Sequence, residues 1–407
     1  SSEILKNQYY YGGNMENIRK ASDDTKVIHG GIGEYEYGPV VPPIYQVSTF
    51  KFEDVDHGAR LFKSEEKGYI YTRMGNPTIE ALENSVAILE NGDKALACSS
   101  GMAAVHTVLA SVLKTGDHVV CSEAVYGPTN IILRTLMTKF GIESTFVDTS
   151  NLEHVKKAIK PNTTLIYVES PGNPTLVVSD IEAIAKIAKE NNALLCVDNT
   201  FMSPILQKPL ELGANIVLHS MTKYLNGHAD VVAGIVIVND DLYPKFRKTL
   251  NLTGGVIDPF NAFLVHRGIK TLYLRVWHQS KSAEKIAAWL EKQPQISWIK
   301  YPGLKSHPQH DIAMKQQKAP GSMISFGLEG GLEAGKRMMN NVHLCQLAVS
   351  LGGVESLIQH PASMTHAGMT REDRLAGGIT DGLVRVSVGI ENVDDILGDL
   401  KHALKQV

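Results

Sequence analysis

The chain has 407 residues, enough for two or three domains, and its 43% hydrophobic and 20% charged composition with a net charge of −3 describes an ordinary globular protein. It lacks the basic excess that grips a phosphodiester backbone, has no run of about 18 apolar residues, and shows no charged flank before an apolar core at its start. Nucleic acid, a membrane span and a signal peptide are therefore not expected.

Residues 1–14 precede Met15 and read as an added extension to an N-terminal arm that runs to residue 65, rich in Gly, Pro and Tyr and without a strong period. Residues 66–260 read as a large domain. In it seven short apolar runs recur, KALAC, HVVCSE, ESTFVD, TLIYVES, ALLCVD, NIVLHS and AGIVIV, several of them continuous rather than alternating, as in strands buried on both faces. Between them lie helix-length stretches, GMAAVHTVLASVL, TNIILRTLMTKF, NLEHVKKAI and DIEAIAKIAKEN, with Asn151 and Asp180 at cap positions. Alternating strand and helix predicts an α/β fold with a mostly parallel seven-stranded sheet and helices on both faces. Residues 261–407 read as a smaller α+β C-terminal domain: a connecting helix in AFLVHRGIKTLYLRV, a second in AEKIAAWLEKQ, strands in MISFGLEG, CQLAVSLG and LVRVSVGI, and a final amphipathic helix. Cys98, Cys121, Cys196 and Cys345 have no CxxC or Cys/His ligand spacing. Neither a metal site nor a disulfide framework is indicated, and a reducing, cytoplasmic setting fits.

The unusual polar residues of the large domain fall just past the carboxyl ends of its predicted strands, where ligands of such sheets bind. Ser99, Ser100 and Gly101 follow ALAC, Tyr126 follows VVCSE, Asn173 follows IYVES, Asp198 ends LLCV, and Lys223 follows IVLHS. The small residues of CSSGMAA let backbone N–H groups approach an anion at a helix N-terminus, with Ser220 and Thr222 as further donors, although Ser99 or Ser100 would equally serve as a plain helix cap. Asp198, at the end of an apolar strand, needs a cation or strong donor beside it; a salt bridge, an Asx turn and a protonated pyridine nitrogen all satisfy that need. Lys223 is either an exposed loop cation or an amine whose pKa is lowered by apolar surroundings so that it acts as a nucleophile. Taken together, an anion cradle, a buried acid, an aromatic hydroxyl and a lysine describe a pyridoxal phosphate site. A nucleotide-binding oxidoreductase would need GxGxxG after the first strand, and CSSGMAA lacks the glycines.

With these residues placed, the stretches YIYTRMGNPT, CSSGMAA, EAVYGPT, VESPGNPT, DNTF, HSMTKYLNGHAD, SLGGVESLIQHPASMTHA and DGLVRVSVGIE carry a resemblance to the Cys/Met-metabolism family of pyridoxal-phosphate enzymes, from about Asp24 to the C-terminus. The resemblance implies an aminotransferase-like (fold type I) architecture and a homotetramer of two intimate dimers. It implies that Lys223 is the Schiff-base lysine, Asp198 the partner of the pyridine nitrogen, and Tyr126 the stacking tyrosine that protonates the leaving group. It places Ser100, Gly101, Met102, Ser220 and Thr222 around the phosphate, Tyr71 and Arg73 on the phosphate of a neighbouring subunit, Asn173 beside the ring oxygen, and Ser350 and Arg385 on the substrate carboxylate. The active site would then be shared between two chains.

Two positions bear on the substrate, a small sulfur amino acid. Family members that act on cystathionine commonly carry an acid immediately before the serine of SLGG, where it meets the distal ammonium; here that position is Val349. A distal charge beside valine is poorly served, whereas an uncharged thioether suits it. Methionine γ-lyases of the family typically carry a cysteine two residues after the stacked tyrosine, where this chain has Pro128. The resemblance thus implies α,γ-elimination of methionine to methanethiol, 2-oxobutanoate and ammonia, with cystathionine γ-lyase or O-acetylhomoserine sulfhydrylase activity as the alternatives on the same scaffold.

Overall fold

The computed structural model describes residues 15–376 and 378–407, so the stretch read as an extension lies outside the described residues. In chain order its strands are β1 (Lys94–Cys98), β2 (His118–Ser122), β3 (Glu143–Val147), β4 (Thr163–Glu169), β5 (Leu194–Asp198), β6 (Ile216–Ser220), β7 (Gly234–Val238), β8 (Ile296–Lys300), β9 (Met323–Leu328), β10 (Gln346–Leu347), β11 (Leu357–Gln359) and β12 (Leu383–Ser387). β1 to β7 coincide with the seven apolar runs and make up a seven-stranded sheet. The described residues form two compact units, one of residues 15–112, Ile216–Asn226 and Asp230–Tyr273, the other of Leu113–Asn215, Gly227–Ala229 and the described part of residues 274–407.

In the first unit β7 runs antiparallel to both β1 and β6, with Ile235 opposite Ala97 on one side and His219 on the other. β7 is buried at every position, which is why GIVIV shows no alternation. The helix Pro77–Leu89 starts at an Asn76 cap whose side chain accepts the Thr78 N–H, and it lays Leu82, Val86 and Leu89 into the core. Its Glu83 ties three parts of the unit together. One carboxylate oxygen accepts the Ala97 N–H at 2.8 Å and the other meets Arg247 Nη2 at 2.7 Å. The connecting helix expected as one piece ends instead at Ile269, in Pro259–Ile269, and the next helix, Leu272–Leu290, absorbs the AEKIAAWL part of the stretch read separately as AEKIAAWLEKQ. At the break the Thr271 hydroxyl donates to the Gly268 carbonyl, a local bond that competes with helix continuation. Gly268 itself is required by a close approach, since a Cβ there would lie 2.2 Å from the Asn226 carbonyl oxygen.

In the second unit β3, β2, β4 and β5 are all parallel, in that order. Ile166, Val168, Leu195 and Val197 from β4 and β5 share a core with Ile181, Ile184 and Ile187 of the helix Ile181–Glu190, whose Asp180 caps the Ala183 N–H at 3.0 Å. Asn151 likewise caps the helix Leu152–Ala158. TNIILRTLMTKF is helical, but as the short helix Gly127–Ile131 followed by a π-helical stretch, Ile132–Met137. The same unit holds a five-stranded sheet in the order β10-β11-β12-β9-β8, antiparallel except for β10 against β11. Phe326, Val384 and Val386 of that sheet pack with Ile286, Leu290, Met338, Ile396 and Leu400 from its helices. Only Gln346–Leu347 of CQLAVSLG is strand, and farther on Ser350 turns the backbone to φ +87°, outside extended geometry.

Removing the Glu83 side chain leaves a buried amide without its acceptor and a mostly buried guanidinium without its counter-charge. E83A is expected to destabilise the fold by about 3 kcal/mol, read as a lower urea midpoint, whereas a substitution at exposed Glu153 leaves the midpoint in place.

Candidate active site

In the second unit the carboxyl ends of three parallel strands each deliver a polar group. Tyr126, beyond β2, stands at the N-cap of Gly127–Ile131, its side chain half exposed and Pro128 in the first turn, where a missing N–H costs nothing. Glu169 ends β4 and Asp198 ends β5, and the parallel register makes them direct partners. Both are buried, at 5% and 8% exposure. Asp198 Oδ1 accepts the N–H of Thr200 at 3.1 Å and its hydroxyl at 2.5 Å, so the local turn anticipated for this carboxylate is present and uses one of its oxygens.

Glu169 is the residue the sequence reading passed over. Its Oε2 accepts the Tyr126 N–H at 2.7 Å and its Oε1 accepts the Asn173 N–H at 3.1 Å. Burial first, and then the neighbouring Asp198 charge, push this carboxyl well above the usual carboxylate range, against the pull of the two N–H donors and of Arg385. The signal that would have found it is the one that found Asp198: an acid closing an apolar run.

Arg385 lies in β12, 5% exposed, and so is not the surface cation that an alternating strand allows. Its Nη1 donates to Asn173 Oδ1 at 2.8 Å and its Nη2 to the Ser350 carbonyl at 2.7 Å. Ser350 holds φ +87°, a conformation that costs a non-glycine residue on the order of 1–3 kcal/mol and that presents its carbonyl to the guanidinium. Val349, just before it, is 56% exposed. Tyr126, Glu169, Asn173, Arg385 and Ser350 are thus linked by one run of hydrogen bonds.

In the first unit the helix Gly101–Val112 begins directly after β1 and one short turn. Ser100 Oγ accepts the Ala103 N–H at 3.0 Å, so its hydroxyl serves as the cap. The first-turn amides at Gly101 and Met102 have no i−4 acceptor inside a helix and mark its positive end. Gly101 packs against Ser220 at the end of β6: a Cβ on Gly101 would come within 2.9 Å of Ser220 Cβ and 3.1 Å of its Oγ. Beyond β6 the backbone N–H of Lys223 donates to the Ser220 carbonyl at 3.2 Å, closing a turn that holds the lysine half-buried. Thr222 Oγ1 exchanges hydrogen bonds with the backbone of Ala233. Tyr71 and Arg73 are side by side and exposed, the guanidinium 5.6 Å from the ring centroid.

Strand-end acids in one unit and a helix-start cradle with a half-buried lysine in the other are the groups a pyridoxal-phosphate-dependent enzyme uses. Residues 24–405 match the family described as Cys/Met metabolism PLP-dependent enzyme, and the chain belongs to that family. It is 53% identical over 386 residues to the L-methionine gamma-lyase of Fusobacterium nucleatum subsp. polymorphum, covering 94% of this chain and 98% of that one. It is 48% identical to the cystathionine gamma-lyase of Bacillus subtilis, over 94% of this chain and 99% of the other. The structure of metB from Corynebacterium glutamicum superposes with a TM-score of 0.90 at 45% identity, over 95% of this chain and 99% of that chain. The fold is therefore the α/β, aminotransferase-like fold type I.

The residues present fit the cofactor. The Gly101–Ser220 contact leaves the helix start bare of side chain where an anion approaches, and Asp198 is a buried acid of the kind that a pyridinium nitrogen neutralises. Gly101→Ala would force Ser220 away from the helix start. It is expected to weaken pyridoxal phosphate binding by about ten-fold or more in an absorbance titration of the apoprotein, with the far-ultraviolet circular dichroism retained.

Proposed function

We propose that this enzyme cleaves L-methionine, with one water, to methanethiol, 2-oxobutanoate and ammonia, an α,γ-elimination. The observation that carries the choice of substrate is Val349: the residue before Ser350 is apolar and exposed, so the distal end of the substrate finds no counter-charge there. The naming of its relative at 53% identity as an L-methionine gamma-lyase supports the same reading.

When bound, pyridoxal phosphate supplies an electron sink that stabilises negative charge at the substrate α-carbon. Around it, Lys223 would hold the cofactor and would carry first the α-proton and then a β-proton of the substrate. Asp198 keeps the pyridine nitrogen protonated. Tyr126 would hold the cofactor ring, and its hydroxyl would give a proton to the departing sulfur. The amides of Gly101 and Met102, with the hydroxyls of Ser220 and Thr222, hold the phosphate, and Ser100 sets the helix start that aims them. Arg385 carries five N–H donors, two of them directed to Asn173 and the Ser350 carbonyl, and together with Ser350 it fixes the substrate carboxylate. Asn173, whose Oδ1 is engaged by Arg385, would hold the cofactor's ring oxygen through its amide group.

Tyr71 and Arg73 serve the phosphate of a neighbouring copy, and the active enzyme is a homo-oligomer, a tetramer of two dimers, in the cytoplasm. Exposed Tyr37, Val40 and Val55, at 96%, 87% and 85%, favour an arm that is covered by another subunit. No helix among the described residues is long and apolar enough to cross a membrane. In this reading residues 66–260 bind the cofactor and residues 261–407 supply the substrate-carboxylate side.

A side-by-side assay with L-methionine, L-cystathionine, and O-acetyl-L-homoserine plus sulfide tests the proposal. Methanethiol and 2-oxobutanoate from methionine, at the highest kcat/KM of the three, is the expected result. Preference for cystathionine, or sulfide incorporation with no elimination, would replace it with the corresponding lyase or sulfhydrylase.

A further inference from the structure

Two carboxylates end adjacent parallel strands in register, Glu169 on β4 and Asp198 on β5, and both are buried. Such a pair is tolerated only where donors meet it. Asp198 has a task in the lyase reading, and Glu169 has none. Yet Glu169 is held by two backbone amides that belong to different parts of the site, Tyr126 at 2.7 Å and Asn173 at 3.1 Å. The first bond is long-range, since Tyr126 lies 43 residues before Glu169, and the second, to Asn173 four residues on, fixes the loop that also anchors the second sheet through Ser325 Oγ on the Pro174 carbonyl. From Asn173 the chain of contacts runs on through Oδ1 to Arg385 and the Ser350 carbonyl.

We propose that Glu169 is a positioning residue that couples the two sides of the reaction, setting the backbone of Tyr126 at the leaving group and, through Asn173, the guanidinium of Arg385 at the substrate carboxylate. The assignment rests on the lyase reading above. The carboxyl group suits the task because each of its two oxygens accepts one of the backbone N–H bonds. Glutamine has one carbonyl oxygen, so its amide nitrogen would oppose one of the two N–H donors. Aspartate keeps the carboxyl group but withdraws it by one methylene, out of reach of one amide or the other.

The test compares the parent holoenzyme with E169Q and E169D by kcat and KM for L-methionine, by the visible circular dichroism of the bound cofactor, and by the urea midpoint. Both variants are expected to fold and bind cofactor, with kcat/KM lowered about 10- to 100-fold. KM rises and kcat falls together, and the visible dichroic band changes as the Tyr126 ring moves. Variants that only lower the urea midpoint, with KM, kcat and the dichroic band within two-fold of the parent in the folded fraction, overturn the proposal. So does a loss confined to kcat or to KM alone, because that would leave the two sides uncoupled. Should E169Q fail to fold, E169D decides by the same criteria. A parent that turns over no sulfur amino acid removes the lyase reading and the coupling with it, an outcome distinct from an active parent with silent variants.

Discussion

The constraint on which the site depends is the burial of acid at the carboxyl ends of β4 and β5. Strands buried on both faces carry few charged groups along their length, and in β4 and β5 the carboxylates lie where the strands stop. Glu169 and Asp198 stop there together, in register, and a pair of carboxylates out of water must be met by donors. Glu169 is met by backbone amides, which draws Tyr126 and the loop at Asn173 into fixed places. Asp198 is met in part by Thr200, through one oxygen. A cationic ring nitrogen is the partner that the family's chemistry gives to such an acid.

The same logic extends outward through Arg385. A guanidinium buried in β12 is held by Asn173 on one side and by a serine carbonyl on the other, and the serine accepts a left-handed backbone to offer that carbonyl. Local strain at Ser350 and a buried charge at Arg385 are both costs to folding, concentrated at the place proposed to receive the substrate carboxylate. In the first unit the corresponding cost is steric. Gly101 lies so close to Ser220 that no side chain fits, and the helix start stays open to an anion.

Much of this was legible in the sequence, for identifiable reasons. The seven strands of the large sheet stood out because runs such as VVC, LLCV and GIVIV are too short for helices and too continuous for a surface strand, and Asn151 and Asp180 marked helix starts because their side chains do cap. β8 and β11 escaped. ISWIK is only partly buried, so its pattern is weak, and LIQ is three residues long, a pairing that β12 imposes rather than one its own composition demands. The two-helix break near residue 270 was hidden because the apolar period runs through it, and the stop depends on a Thr271 hydroxyl bond and on the passage of Gly268 past Asn226. Ser100 was read both as cap and as anion donor, and its hydroxyl serves the cap. Glu169 does not stand out within VESPGNPT, since its importance lies in amides 43 residues before and four after it, the first of them brought near by the sheet.

The central claim is that the half-buried amine at the end of β6 carries the cofactor. Reduction of the purified, cofactor-loaded protein with borohydride, followed by peptide mass spectrometry, measures this directly. The account predicts a reduced phosphopyridoxyl group on the single peptide containing Lys223. Modification at other lysines with Lys223 unlabelled, or no modification of a protein saturated with pyridoxal phosphate, would contradict it.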